Sequence, residues 1–308
     1  MKYLLVLGSL LVSALTFAQT EEVEKPKYWT HKASFGLNFS NITLHNWAGG
    51  GDDALAVATN INGQLQYKKD KVTWLNTLEL GYGQVRNESV GEFRKSDDRL
   101  ILVSKYSRSF GTKGFAYSAI MDFRTQMDVG LKYFEREGMD DSSSIISRFL
   151  APGYLTLAAG MEYKPTDNFY FMLSPVSGKL TFVMDDVLAA AGAFGVEPDK
   201  NLLAELGAVS SLRWYVEPFA KSEGIAGKAL KNVSYETKLN LFQAYKKGKA
   251  LDFIWDNTLL IKANDYISTT FTAQYIYDED VAVTRDDLTV GPAVQSKYVL
   301  AVGFLMKF

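Results

Sequence analysis

From His31 onward the chain alternates apolar and polar positions with a period of two, segment after segment. In the first, Ala33, Phe35, Leu37 and Phe39 share one face, and Ser34, Gly36, Asn38 and Ser40 share the other. Leu55, Val57, Ile61, Leu65 and Tyr67 then oppose Asn60, Asn62, Gln64 and Gln66, and Val72, Trp74, Leu78, Leu80 and Tyr82 oppose Thr73, Thr77 and Glu79. The fourth segment, Asp97 to Ser109, is less regular because Leu100 to Val103 put apolar groups on both faces. The pattern returns around Phe115 to Gln126, Leu155 to Tyr163, Phe169 to Met184, Gly207 to Glu217, Val233 to Leu241, Leu251 to Lys262 and Ile267 to Tyr277. It ends in Gln295 to Phe308, where Tyr298, Leu300, Val302, Phe304, Met306 and Phe308 form one greasy face. Alternation of this kind is expected where lipid lies on one side of a strand and water on the other.

Twelve such segments predict an all-β chain, a transmembrane antiparallel up-and-down β-barrel of about 12 strands (10–14 spans the uncertainty in counting). An even count leaves both ends of the chain on one side, and the connections alternate short and long as periplasmic turns and extracellular loops do. Two break the rule. The eighth, Pro218 to Lys231, is long for its side, and the ninth, Lys246 to Lys249, is short. The extracellular loops are expected at 127–150, 185–206 and 278–294. Within the second, Val187 to Ala191 and Leu202 to Leu206 favour short helices by propensity.

With the apolar faces outward, Glu79, Asp122, Glu162, Glu236 and Asp256 point into the barrel, as do Arg124, Arg213, Lys238 and Lys262. These are the candidate lumen residues. Both signs are present, so the charges can pair across the interior or line a narrow polar route. A wide pore selective for one sign would show a bias that is missing here.

Ahead of the alternation stands an export signal. Lys2 is followed by an apolar run from Tyr3 to Leu15, and Thr16-Phe17-Ala18 supplies the small residues of a cleavage site before Gln19. Residues 1–18 are therefore expected to be removed, leaving a short periplasmic segment at 19–30 and a single barrel at 31–308. The loss of Lys2 leaves 32 basic against 35 acidic residues, a formal charge of −3. The run is too short to span a bilayer, and no later stretch is apolar enough to do so as a helix. The chain has no cysteine, which excludes disulfides and thiolate chemistry, and its near-neutral balance offers no basic patch for nucleic acid. Aromatics are abundant, with 17 Tyr, 19 Phe and 5 Trp, and such rings favour membrane boundaries.

Two stretches carry a resemblance. One is Asn46-Trp47-Ala48-Gly49-Gly50-Gly51 after the first strand, and the other is Leu173-Ser174-Pro175-Val176-Ser177-Gly178-Lys179-Leu180-Thr181-Phe182-Val183. Together with the export signal and the terminal Phe308, they resemble a Bacteroidota family known as domain of unknown function 3078. The resemblance implies an outer-membrane barrel and carries no activity or catalytic residue with it. Asn46, Trp47, Gly49, Gly50 and Gly51 form a candidate loop motif, with Trp47 expected at the membrane rim and the glycines permitting a tight loop. Ser174-Pro175 is expected to kink the seventh strand where its loop begins, because proline cannot donate to the ladder. Phe308, an aromatic carboxy-terminus, is expected to serve as the signal read by the barrel-assembly machinery.

Catalytic chemistry finds little to use. His31 and His45 are the two imidazoles, and His45 lies near Asp52 and Asp53 without a nucleophile motif. Acidic loop clusters at Asp140-Asp141 and around Asp278 to Asp287 lack the spacing of a calcium loop. No cofactor or metal is expected. The leading expectation is a narrow outer-membrane channel or carrier for small solutes, with membrane lipid and the assembly machinery as partners. The alternatives are an occluded barrel acting in an envelope complex and, third, a lipid-acting hydrolase, which would need His45.

Overall fold

A strand with one apolar face can satisfy its edges in lipid only by pairing on both sides, and the chain does this by closing on itself. The computed structural model describes residues 28–42, 54–87, 91–111, 114–134, 142–219, 230–246, 248–264, 267–285 and 289–307. In chain order its strands are β1 (Trp29–Ile42), β2 (Ala54–Lys69), β3 (Val72–Asn87), β4 (Phe93–Ser109), β5 (Phe115–Thr125), β6 (Gly130–Phe134), β7 (Ser142–Ser147) and β8 (Gly153–Thr166). They continue as β9 (Phe169–Phe182), β10 (Leu202–Val216), β11 (Val233–Ala244), β12 (Leu251–Lys262), β13 (Ile267–Tyr277), β14 (Ala282–Thr284), β15 (Val290–Pro292) and β16 (Gln295–Lys307). A short α-helix, α1 (Asp186–Ala190), and a 3-10 segment at Ala193–Gly195 lie between β9 and β10.

Twelve of these strands form one closed antiparallel barrel in which each pairs with the next barrel strand along the chain, and β16 returns to β1. All twelve expected segments are found among them. The other four strands are hairpins inside loops, β6–β7 after β5 and β14–β15 after β13. At the seam Asn38 faces Gly303, and its side-chain oxygen lies only 2.0 Å from where a Cβ on residue 303 would sit. Glycine there lets the two ends of the sheet meet.

The expected helix at Leu202 to Leu206 does not form. Those residues begin β10, with Leu202 opposite Phe182 and Leu206 opposite Gly178. Helix propensity differs by only tenths of a kcal/mol per residue, whereas a ladder against β9 satisfies every backbone group. The loop on this side therefore ends before Leu202. Within it, Asp185 caps α1 by accepting from the backbone N–H groups of Val187 (3.1 Å) and Leu188 (3.0 Å). Leu188, Ala189, Val196, Val183 and Ala151 pack beneath it as a small core.

Ser174-Pro175 does irregularize β9, but in the middle of the strand rather than at its end. The register slips between Ala159 and Met161 on one neighbour and between Gly207 and Val209 on the other, after which β9 runs on to Phe182. A bulged position needs no ladder donor, so proline fits it. The Ser174 hydroxyl donates to the Ala159 carbonyl at 2.7 Å, which satisfies an acceptor that the slip would leave unpaired.

The faces follow the alternation. Leu300, Val302, Leu157, Leu206 and Val176 project from the outer wall and are exposed, Leu300 by 72%. Two belts of aromatic rings bound this apolar band, as they do where a barrel crosses a bilayer. At the end bearing the chain start, Trp29 meets Tyr67 (5.1 Å) and Trp74 (6.2 Å), Phe110 stacks on Tyr117 (4.2 Å), and Phe115 meets Tyr163 (4.6 Å). At the other, Trp255 meets Tyr275 (5.5 Å) and Tyr275 meets Tyr298 (5.9 Å). Outward polar groups in the belts satisfy one another. The Trp74 indole donates to the Ser104 hydroxyl (2.9 Å), which donates to Asn76 (2.8 Å). The Trp255 indole likewise donates to Thr237 (2.9 Å), which donates to Asn257 (2.9 Å). In hydrocarbon an unpaired indole or amide would cost several kcal/mol.

Residue-to-residue contrast on β16 tests this assignment. Leu300→Arg places a charge in the apolar band and is expected to lower unfolding free energy by about 2–4 kcal/mol, whereas Val299→Arg, one residue away on the inner face, should cost less than about 1 kcal/mol. Urea titrations of the protein folded into lipid vesicles read both values.

Candidate functional site in the lumen

The interior is divided into a filled side and an open side. Along β5, β8, β9, β10 and β11 the inward residues are large and apolar enough to pack against one another. Met172, Val209, Phe242, Ala158 and Ala244 form a buried cluster, with Ile120 and Tyr170 against it. Around the rest of the wall, β12, β13, β16, β1, β2 and β3 present Thr258, Thr270, Thr272, Asn38, Asn60 and Asn62 inward, as their registers require. Val299, on the inner face opposite Thr272, is 39% exposed although it faces no lipid. Space for water therefore lies beside this wall.

The sequence-derived lumen residues all occupy inward register positions, and most are brought into pairs. Glu79 lies 2.8 Å from the Nε of Arg99, a contact whose geometry is that of an ion pair and not of an aligned hydrogen bond. Arg99 also donates to Asp97 (3.0 Å) and Asn60 (2.9 Å), and Lys297 reaches past β1, β2 and β3 to Asp97 (2.7 Å). Asp122 and Arg124 form a bidentate pair at 2.7 and 2.8 Å, within Coulombic reach of Asp256 and Glu79 on other walls. Asp256 accepts from Gln274 (2.6 Å). Glu236 holds Arg213 at 2.5 Å and Lys238 at 3.0 Å. Lys262 faces inward opposite Ser268, away from these clusters.

Glu162 belongs to the filled side. It accepts from Lys105 (2.8 Å), whose ammonium also sits 4.0 Å from the centre of the Tyr170 ring. Higher on that side Lys179 crosses β10 and β11 to Asp252 (2.9 Å) and also binds Asp278 (2.9 Å) in the last loop. The same loop is tied down again by Lys249 on Asp280 and by Glu279, which accepts from the Ala250 backbone. Burial alone would lower the Lys249 ammonium, but its hydrogen bond to Asp280 and the nearby acids outweigh this and hold its pKa above the usual lysine value. The last loop is thus tied to the filled side of the barrel at this end.

Arg99, Asp97, Lys105, Lys179 and Lys297 were not among the candidates read from sequence. Parity would have found Lys297, which shares the polar face of the closing strand. Asp97, Arg99 and Lys105 share one face of β4, but Leu100 to Val103 put apolar groups on both faces and masked it, and the Ser174-Pro175 bulge shifts the parity of Lys179. The candidate loop motif Asn46, Trp47, Gly49, Gly50 and Gly51 lies outside the described residues, as do His45, Phe308 and the expected export signal. His31 is exposed near the start of β1. Among the described residues no cluster of acids and imidazoles suited to a metal occurs.

Two expectations follow. Lys105 and Glu162 are nearly sealed from water, with side-chain exposures of 15% and 7%. Lys105→Met should therefore destabilise by about 3–5 kcal/mol, and adding Glu162→Leu should recover most of it, measured by urea unfolding in vesicles. The raised Lys249 also fixes a sign. Its tie to Asp280 is present below the ordinary lysine pKa and is lost as pH rises through the raised value. Protease cleavage within 278–294 should accelerate only in strong alkali for the natural chain, and already at neutral pH for Lys249→Met.

Comparison with solved structures returns barrels. The COG4313 outer membrane channel from Pseudomonas putida F1 is 11% identical, covers 94% of this chain and 100% of its own, and superposes with a TM-score of 0.41. The translocator domain of autotransporter NalP from Neisseria meningitidis is 10% identical over 98% of this chain and 95% of its own, with a TM-score of 0.33. Salmonella typhi OmpF in complex with daunomycin is 9% identical over 91% and 97%, with a TM-score of 0.32. At this level of likeness no residue role passes from them to this chain. No curated protein matches it. Residues 39–131, from β1 through the start of β6, match the family described as protein of unknown function (DUF3078).

Proposed function

We propose that the protein is an outer-membrane β-barrel that provides a narrow polar route for small solutes, running along one side of its lumen. The observation that carries this is the division of the interior. Amide and hydroxyl groups line the β12, β13, β16, β1, β2 and β3 wall, with exposed Val299 among them, while the apolar cluster fills the opposite side. A barrel built only as a scaffold would have no reason to keep a hydrated polar wall beside a packed one.

Where the route is narrowest in charge, Glu79, Arg99, Asp97 and Lys297 form a mixed cluster whose side chains remain between 21% and 43% exposed. Such a cluster offers both signs to a solute and is weakly selective as it stands. A zwitterion or a small neutral polar molecule suits it better than a single ion. Surface ion pairs of this exposure contribute about 0–1 kcal/mol, so they can open and re-form as a solute passes.

The second reading is an occluded barrel acting through its loops. The ties of Lys179 to Asp278 and Lys249 to Asp280 favour it, because they draw the last loop over the mouth. Single-channel recording in planar bilayers separates the two. The natural protein is expected to show small, discrete steps with little ion preference. Arg99→Gln with Lys297→Gln leaves Glu79 and Asp97 without partners and should shift the reversal potential in a KCl gradient toward cations. A silent bilayer containing protein shown to be folded by heat-modifiable gel mobility would rule out the route and leave the occluded barrel.

A further inference from the structure

The outer wall is not smooth. Where β9 bulges at Ser174-Pro175, a groove of about 720 Å³ opens on the lipid side of β4, β5, β8 and β9. Tyr106 and Tyr117 form one wall, Met161, Leu173 and Pro175 the other, and the small residues Ala119 and Ala159 the floor between them. Gly160 makes the bulge possible. A Cβ there would lie 2.1 Å from the Leu173 carbonyl oxygen, so any larger residue would push β9 away.

The lower end of the groove holds Arg108. It is exposed, points outward at the level of the periplasmic aromatic belt, and pairs across the ladders with Val72 and Tyr117. Among the described residues it has no ion-pair or hydrogen-bond partner, unlike most of the lumenal charges. An unpaired guanidinium at a lipid-facing position is costly unless it reaches the headgroup zone and finds an anion there. Guanidinium suits phosphate, to which it donates two parallel hydrogen bonds.

We propose that this groove is a phospholipid site, in which a glycerophospholipid of the periplasmic leaflet places its phosphate on Arg108 and one acyl chain along Ala119 and Ala159. The apolar part gives shape and little affinity, because in a bilayer the chain leaves one hydrocarbon environment for another. Residence is set by the phosphate contact, and the site selects for a headgroup rather than for tail length. The inference depends on the barrel standing in a membrane and is independent of whether the lumen conducts.

Native mass spectrometry of the full barrel released from neutral detergent tests it. The delipidated protein is titrated with dioleoyl phosphatidylglycerol and, separately, with dioleoylglycerol, which has the same tails and no phosphate. One tightly held phosphatidylglycerol per barrel is expected, with binding weakened roughly tenfold in Arg108→Gln, the size of one lost charge-assisted contact. Ala159→Phe, which fills the groove and keeps the arginine, should also reduce occupancy, and Leu300→Phe on another wall should not. Heat-modifiable mobility confirms that each variant is folded, and Ala119→Phe replaces Ala159→Phe if that one is not. Equal retention in all variants, or equal binding of dioleoylglycerol, would show adventitious annular lipid only and overturn the site.

Discussion

Backbone hydrogen bonding in a medium without water is the constraint from which the remaining structure follows. Each peptide group in hydrocarbon needs a partner from within the protein, and a sheet meets that demand only if its first and last strands join. The seam between β1 and β16 is therefore the critical contact. It is short, from Ser34 opposite Lys307 to Asn38 opposite Gly303, and it depends on a glycine that lets Asn38 approach. Once closed, the sheet assigns residues to lipid or lumen by parity between its bulges.

That assignment moves the difficult chemistry inward. Charges that could not face lipid are gathered in the interior, and they are neutralised there in two ways. On the packed side the pairs are dry and specific, as with Lys105 and Glu162 under Tyr170. On the polar side they stay wet and loosely held, as with Arg99 between Glu79 and Asp97. Burial raises the cost of breaking the first kind and solvent lowers the value of the second. The same barrel can thus be rigid along one wall and permissive along the other, and this difference underlies the proposed route.

Much of this was legible in the chain. A period of two carries the same information as a strand's two faces, so all twelve barrel segments, and the inward placement of residues such as Glu79, Asp122 and Arg213, follow from counting. Parity fails wherever a residue is inserted. The bulge at Ser174-Pro175 reverses the faces beyond it, which is why Lys179 could not be assigned, and on β4 the apolar run Leu100 to Val103 hid the polar face that carries Arg99. Leu202 to Leu206 misled for a different reason, since local propensity there is overridden by pairing with β9. The division of the lumen was not legible at all. It depends on how the inward residues of neighbouring strands line up, and Met172, Val209 and Phe242 come from three adjacent strands whose registers counting does not give.

The central claim is that one inner wall is wet while the outer wall is not, and thiol accessibility tests it most directly. The natural chain has no cysteine, so single replacements report without background. Asn62→Cys and Val299→Cys should react rapidly with a charged, water-soluble maleimide in protein reconstituted into vesicles, and Leu300→Cys should react only after the vesicles are dissolved. Protection of both inner positions would contradict the account, because it would mean a lumen sealed along the wall assigned here to water.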